Sequence, residues 1–316
     1  MANRNYHNKN KILTSLLGET TPAKASGLTY TLAALFSVVL AFIFLFVIGV
    51  IGVDEGYETR DWYLYCSFLL TPVCFALVAW WVLRWSKASL RAELSSQICP
   101  VKYFIVAIVL QIGLFCLSQL NSIFLEWLGN FGYQDTPIHL PSMDGWGFVG
   151  TLITVALLPA VFEEIIFRGL LLKGMRSFGT LGAVLVNGAL FALYHQNPAQ
   201  TIYQFCCGAA FALMAIRAGS ILPTVLSHFI NNALIVTLTK FGIDTFSPAV
   251  GITVFAVSVL CLAISLYWLV FVDRENAYTQ QKNKDAATAR KQFFVCASVG
   301  IAFCALTWIM TLMMGM

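Results

Sequence analysis

The chain has 316 residues, of which 59% are hydrophobic and only 11% charged, with a formal charge of +4. Soluble domains carry roughly 25% charged residues, so a water-facing globular surface is excluded, as the mean hydropathy of +0.78 also indicates. A bilayer is the solvent that fits, and the small positive charge follows from topology without any nucleic-acid partner.

The first 27 residues are polar and lack a small-residue cleavage pattern, so 1–27 reads as a cytoplasmic tail and not a signal peptide. Nine apolar segments follow, at about 28–53, 62–83, 103–125, 147–175, 179–196, 201–216, 221–239, 249–272 and 292–314. They are continuous and do not alternate as barrel strands do. The fold class expected is therefore an all-α polytopic membrane protein with about nine transmembrane helices. The chain divides into helices 1–3 over 28–146, a core over 147–239 and helices 8–9 over 240–316, with a cytoplasmic loop at 273–292. Sixteen lysines and arginines fall on the side of the tail, against Arg60 and Lys240 on the other, with Arg168 set aside as intramembrane. This asymmetry places the N-terminus in the cytoplasm and the C-terminus on the opposite face. Nearly all of the nine cysteines lie inside apolar runs and no C-x-x-C occurs, so they read as small apolar residues. Tyr30 and several tryptophans near segment ends read as interface anchors.

Charged groups inside spans are costly and call for an explanation. Segment four carries Glu163, Glu164 and Arg168, segment five ends on His195, and segment seven holds His228 and Asn232. Glu164 and Arg168 are four apart, share a helix face and can pair. Glu163 points about 100° away, left without a local partner, as suits a general base taking a proton from water. His228 and Asn232 also share a face and could hydrogen-bond a developing oxyanion. A rise of ~1.5 Å per residue from the turns puts Glu163 ~20 Å, His195 ~25 Å and His228 ~14 Å from the cytoplasmic end. Helix tilt lets those depths converge. Pro159 and Pro223 are expected to bend segments four and seven. Alone, the Glu164–Arg168 pair is equally consistent with structural glue, and a single histidine with an interhelical hydrogen bond.

The three motifs together, Glu163-Glu164-x-x-x-Arg168, Phe191-x-x-x-His195 and His228-x-x-x-Asn232, resemble the signature of the CAAX prenyl protease and bacteriocin-processing family, over roughly 147–236. That family includes type II CAAX endopeptidases and abortive-infection-like proteins. The resemblance implies a four-helix catalytic core, open toward the cytoplasm, in a setting such as a bacterial inner membrane. It implies that Glu163 activates water with help from His195, that His228 and Asn232 bind the oxyanion, and that Glu164 and Arg168 support the helix. The partner implied is a peptide or membrane-protein substrate, prenylated or not. Glu163, His195 and His228 form a set that zinc accepts, but there is no H-E-x-x-H. The reading without a tightly bound metal is preferred, with zinc as the alternative. Two other readings stay open: a non-catalytic scaffold or bacteriocin-immunity protein, and a proton-coupled transporter. Substrate and oligomeric state are not readable from the chain.

Overall fold

The computed structural model describes residues 21–85, 95–135, 138–243, 245–279 and 284–316, and every regular element among them is a helix. In order these are α1 (Pro22–Ile51), α2 (Asp61–Trp85), α3 (Val101–Leu114) and, after a 3-10 turn, α4 (Ser118–Gly129). The fourth crossing starts with α5 (Trp146–Thr151), passes through a π-helical stretch (Leu152–Leu157) into α6 (Leu158–Glu164), then a second π stretch (Ile165–Leu171) and a 3-10 turn (Leu172–Phe178). After it come α7 (Gly179–Tyr194), α8 (Thr201–Ala218), α9 (Leu222–Lys240), α10 (Pro248–Tyr267) and α11 (Lys284–Met314).

Eight helical stretches among the described residues are long and apolar enough to span a bilayer, one of them the 49 residues Trp146–Tyr194. That stretch is a hairpin. Gly179 ends its first arm with φ +72, a left-handed value that suits glycine. The arms then face each other, with Asn187 Nδ2 donating to Phe167 O at 2.8 Å and the Phe167 and Phe191 rings 5.0 Å apart. The described residues therefore make nine crossings, matching the nine apolar segments.

Two boundaries differ from the sequence reading. α1 begins at Pro22 and not near 28, because Thr21 Oγ1 accepts from Lys24 N and proline fits the first helical turn. The tail 1–20 lies outside the described residues. α11 begins at Lys284, which shortens the expected loop 273–292 to a described segment of 273–279, with 280–283 outside the described residues. In both cases the helix continues past the apolar run into polar sequence, where hydropathy has nothing to report. Tyr30 is consequently no interface anchor: it is fully buried, with its hydroxyl on Leu190 O at 3.3 Å. Pro223 likewise sits in the first turn of α9 and does not bend it.

Loop contacts sort the helix ends into two sets. At one end, Lys102 pairs with Asp273 and Glu275, Arg290 donates to Ser177 O, and Gln97 donates to Gly219 O. At the other, Ser142 N donates to Asp61, Lys240 donates to Met143 O, and Gln134 N donates to Gly315 O. The first set gathers the basic loops. Between these ends the span Pro198–Ala218 is the most enclosed, with 56% of its window buried, whereas α1 and α10 have 11% each and present their apolar side chains outward. Backbones meet closely around α8: a Cβ on Gly208 would lie 2.9 Å from Gly188 Cα. Small residues let membrane helices approach in this way.

Candidate active site

α6 delivers both glutamates into the bundle, where Glu163 is 9% exposed and Glu164 not at all. Their helix is not uniformly α. π-helical turns, whose hydrogen bonds run i→i+5, flank α6 on both sides, and such turns concentrate at functional sites. Pro159, in the first turn of α6, lacks the N–H that would engage the Val155 carbonyl in an α-helix. Val155 O is instead contacted by Asn232 Nδ2, at 3.5 Å.

Arg168 lies in the second π stretch and is 2% exposed. Its Nη1 donates to Glu164 Oε1 at 2.8 Å, its Nη2 to Gly208 O at 3.2 Å, and its guanidinium carbon lies 4.3 Å from the Phe191 ring centre. The i,i+4 pair expected from spacing is thus formed, fully buried. His228, on α9, joins it: His228 Nδ1 is 3.0 Å from Glu164 Oε1, while Nε2 faces Glu163 Oε2 at 3.8 Å. Glu164 is therefore shared between Arg168 and His228. Glu163 Oε2, though buried, has no hydrogen-bond partner among the described residues.

His195 caps α7, with Nδ1 2.8 Å from Phe191 O. A carbonyl only accepts, so Nδ1 carries the proton and Nε2 is left to act as an acceptor. The Phe191 ring lies 4.8 Å from the His195 ring and 6.0 Å from that of His228, so one phenyl group packs against both imidazoles and Arg168. Arg168, His195 and His228, from three separate segments, thus come together around Phe191.

Sequence reasoning missed a second polar network behind Asn232. Asn231 Nδ2 donates to Asn232 Oδ1 at 3.1 Å, while Asn231 Oδ1 accepts from Tyr203 Oη at 2.7 Å and from Gln111 Nε2 at 2.9 Å. Ser227 donates to Gln111 Oε1 at 3.0 Å. The available signal was Gln111 itself, an amide within the apolar run of α3. Among the described residues no group of three His, Cys, Asp or Glu side chains is placed to hold a metal ion, so the zinc alternative finds no support.

Fold and site define a polytopic helical membrane protein with a buried cluster of carboxylates, imidazoles and a guanidinium. Residues 145–234 match the family model of Type II CAAX prenyl endopeptidase Rce1-like, a protease family. The matched segment runs from just before α5 into α9 and contains Glu163, Glu164, Arg168, His195, His228 and Asn232. The resemblance read from the three motifs is borne out by this match. Neither the curated proteins nor the solved structures searched gave a match.

Proposed function

We propose that the chain is an intramembrane endopeptidase that hydrolyses a peptide bond with water activated by Glu163. The observation that carries this reading is the environment of Glu163: a buried carboxylate oxygen without a partner among the described residues, 3.8 Å from an imidazole nitrogen. Glu164 Oε2 is likewise buried without a partner among the described residues, but Glu164 Oε1 is committed to both Arg168 and His228, which leaves Glu163 the carboxylate not held by the guanidinium.

Glu163 takes a proton from a water molecule, and the water oxygen attacks the scissile carbonyl. His195 Nε2, left as an acceptor, orients that water. The carbonyl oxygen becomes an oxyanion, which accepts from His228 Nε2 and from the Asn232 amide. For Nε2 to donate while Nδ1 donates to Glu164, His228 is an imidazolium, and the carboxylates of Glu163 and Glu164 are then matched by His228 and Arg168. Collapse of the intermediate breaks the C–N bond, and the proton held by Glu163 passes to the leaving amine. The substrate is a peptide or membrane protein, with a CAAX-type C-terminus or another maturation site. The basic end of the bundle faces the cytoplasm, with the N-terminus on that side and the C-terminus opposite, in a membrane such as the bacterial inner membrane.

Glu163→Gln is expected to abolish peptide hydrolysis while the purified protein keeps its unfolding midpoint. Membrane peptidomics of cells carrying wild type or Glu163→Gln would supply the substrate. Cleavage retained by the variant would overturn the reading.

A further inference from the structure

A cavity of about 530 Å³ lies at the end of the bundle where the basic loops gather. Arg168 lines it from within, and Lys173, Arg176, Gln97, Asn276 and Thr279 are among its other walls. Glu163, His195, His228 and Asn232 do not line it, so it is distinct from the catalytic cluster and meets that cluster at Arg168. Among the described residues that line it, three side chains are cationic and none is acidic. Glu164 balances Arg168 from outside the cavity, and the exposed Arg176 adds a guanidinium to its lining. Arg176 lies 5.4 Å from the centre of the Tyr278 ring, a contact that keeps its charge. Arg168 Nε is buried and has no acceptor among the described residues.

The walls are tied together. Gly219, at φ +60, is bracketed by two side-chain amides: Gln97 Nε2 donates to Gly219 O at 3.3 Å, and Asn276 Nδ2 donates to Arg217 O at 3.1 Å. Tyr278 is clasped to Thr180, its N donating to Oγ1 at 2.8 Å and its O accepting from Thr180 N at 3.0 Å. Each amide nitrogen has a second N–H to offer, and Ser95 and Thr279 add hydroxyls.

We propose that this cavity binds a phosphate-bearing anion, either the headgroup of an anionic lipid or a free phosphorylated small molecule. Guanidinium and ammonium groups beside several neutral donors match a tetrahedral oxyanion, whose three or more oxygens accept more hydrogen bonds than a carboxylate does. The volume falls within the range of small-ligand sites and exceeds what a bare phosphate needs. Juxtamembrane cations attract anionic headgroups, and this cavity stands at the end of the bundle that carries them.

The test uses the full chain purified in neutral detergent and follows its unfolding midpoint by tryptophan fluorescence. Inorganic phosphate and glycerol 1-phosphate are titrated against chloride at equal ionic strength. In parallel, nanodiscs of phosphatidylglycerol are compared with nanodiscs of phosphatidylcholine. A saturable rise with phosphatidylglycerol alone assigns the ligand to a lipid, and a rise with the soluble phosphates assigns it to a small molecule; both support the site. Arg176→Gln is expected to weaken half-saturation about tenfold, as loss of one charge-assisted contact implies. Ala277→Glu, which adds a carboxylate to an exposed wall position, is expected to abolish the response. The proposal is overturned if no phosphate-bearing probe raises the midpoint above its control, or if both variants respond as wild type does.

Discussion

Glu163 and Glu164 are adjacent in sequence, yet they sit in different surroundings. Glu164 Oε1 receives both Arg168 and His228, so replacing it with glutamine leaves a buried guanidinium without its counter-charge. Breaking one side of a buried pair costs about 3–5 kcal/mol, and Glu164→Gln should lower the unfolding midpoint in detergent accordingly. Glu163→Gln should leave that midpoint near wild type, so the two variants separate chemistry from scaffolding. The Glu164–Arg168 contact is legible in the sequence because helical spacing alone fixes it. The contact of Glu164 with His228 is not, since it spans 64 positions and depends on how α6 and α9 pack. Tyr203 belongs to the same class: its hydroxyl, on α8, reaches Asn231 on α9. Tyr203→Phe removes one donor, worth about 0.5–1.5 kcal/mol. If the network positions Asn232 for the reaction, kcat should fall with KM unchanged. An equal loss of stability with kcat intact would mean that the network only braces the helices.

At the scale of elements, the departures from α geometry carry the most information. Proline in an apolar run predicts a bend, but Pro159 stands at the start of α6, directly after a π stretch, with Asn232 Nδ2 3.5 Å from the Val155 carbonyl. Pro159→Ala restores an N–H that competes for that carbonyl. The expected result is lower kcat with retained folding, read from turnover and unfolding measured on one preparation. Nothing in residue types announces the π turns, because they are a property of backbone registration against neighbouring helices. Close helix approach is easier to test. A methyl group at Gly208 would meet Gly188 Cα at 2.9 Å and disturb the carbonyl that holds Arg168. Overpacking of this kind costs about 1–3 kcal/mol, so Gly208→Ala should lower the unfolding midpoint and activity together.

At the scale of the molecule, hydropathy and charge suffice to describe nine apolar crossings and two unlike ends. The turn between the fourth and fifth segments, expected near Ser177–Gly179, falls at Gly179, but hydropathy does not reveal that helices project beyond their apolar runs. The direction of insertion is open to direct measurement. In a cysteine-free background, Ser142→Cys and Thr279→Cys should react with a membrane-impermeant maleimide from opposite sides of sealed vesicles. Thr279→Cys should be labelled from the cytoplasmic side, and the reverse pattern would invert the proposed orientation.

The seam between α1 and α11 has a bearing on how the protein is made. Thr31 Oγ1 donates to Cys296 O at 2.7 Å, and a methyl group on Gly300 would lie 2.7 Å from Thr31 Cα. Thr21 reaches Gln292 across the same seam at 2.8 Å. A ribosome delivers α1 before any other of these helices and α11 after all the rest. The earliest helix thus waits in the lipid with one flank bare until α11 arrives, and the segment bearing the glutamates and histidines is complete before that flank is covered. A nascent chain stalled before 284 would expose this flank, giving membrane quality control a mark by which to tell an unfinished copy from a finished one.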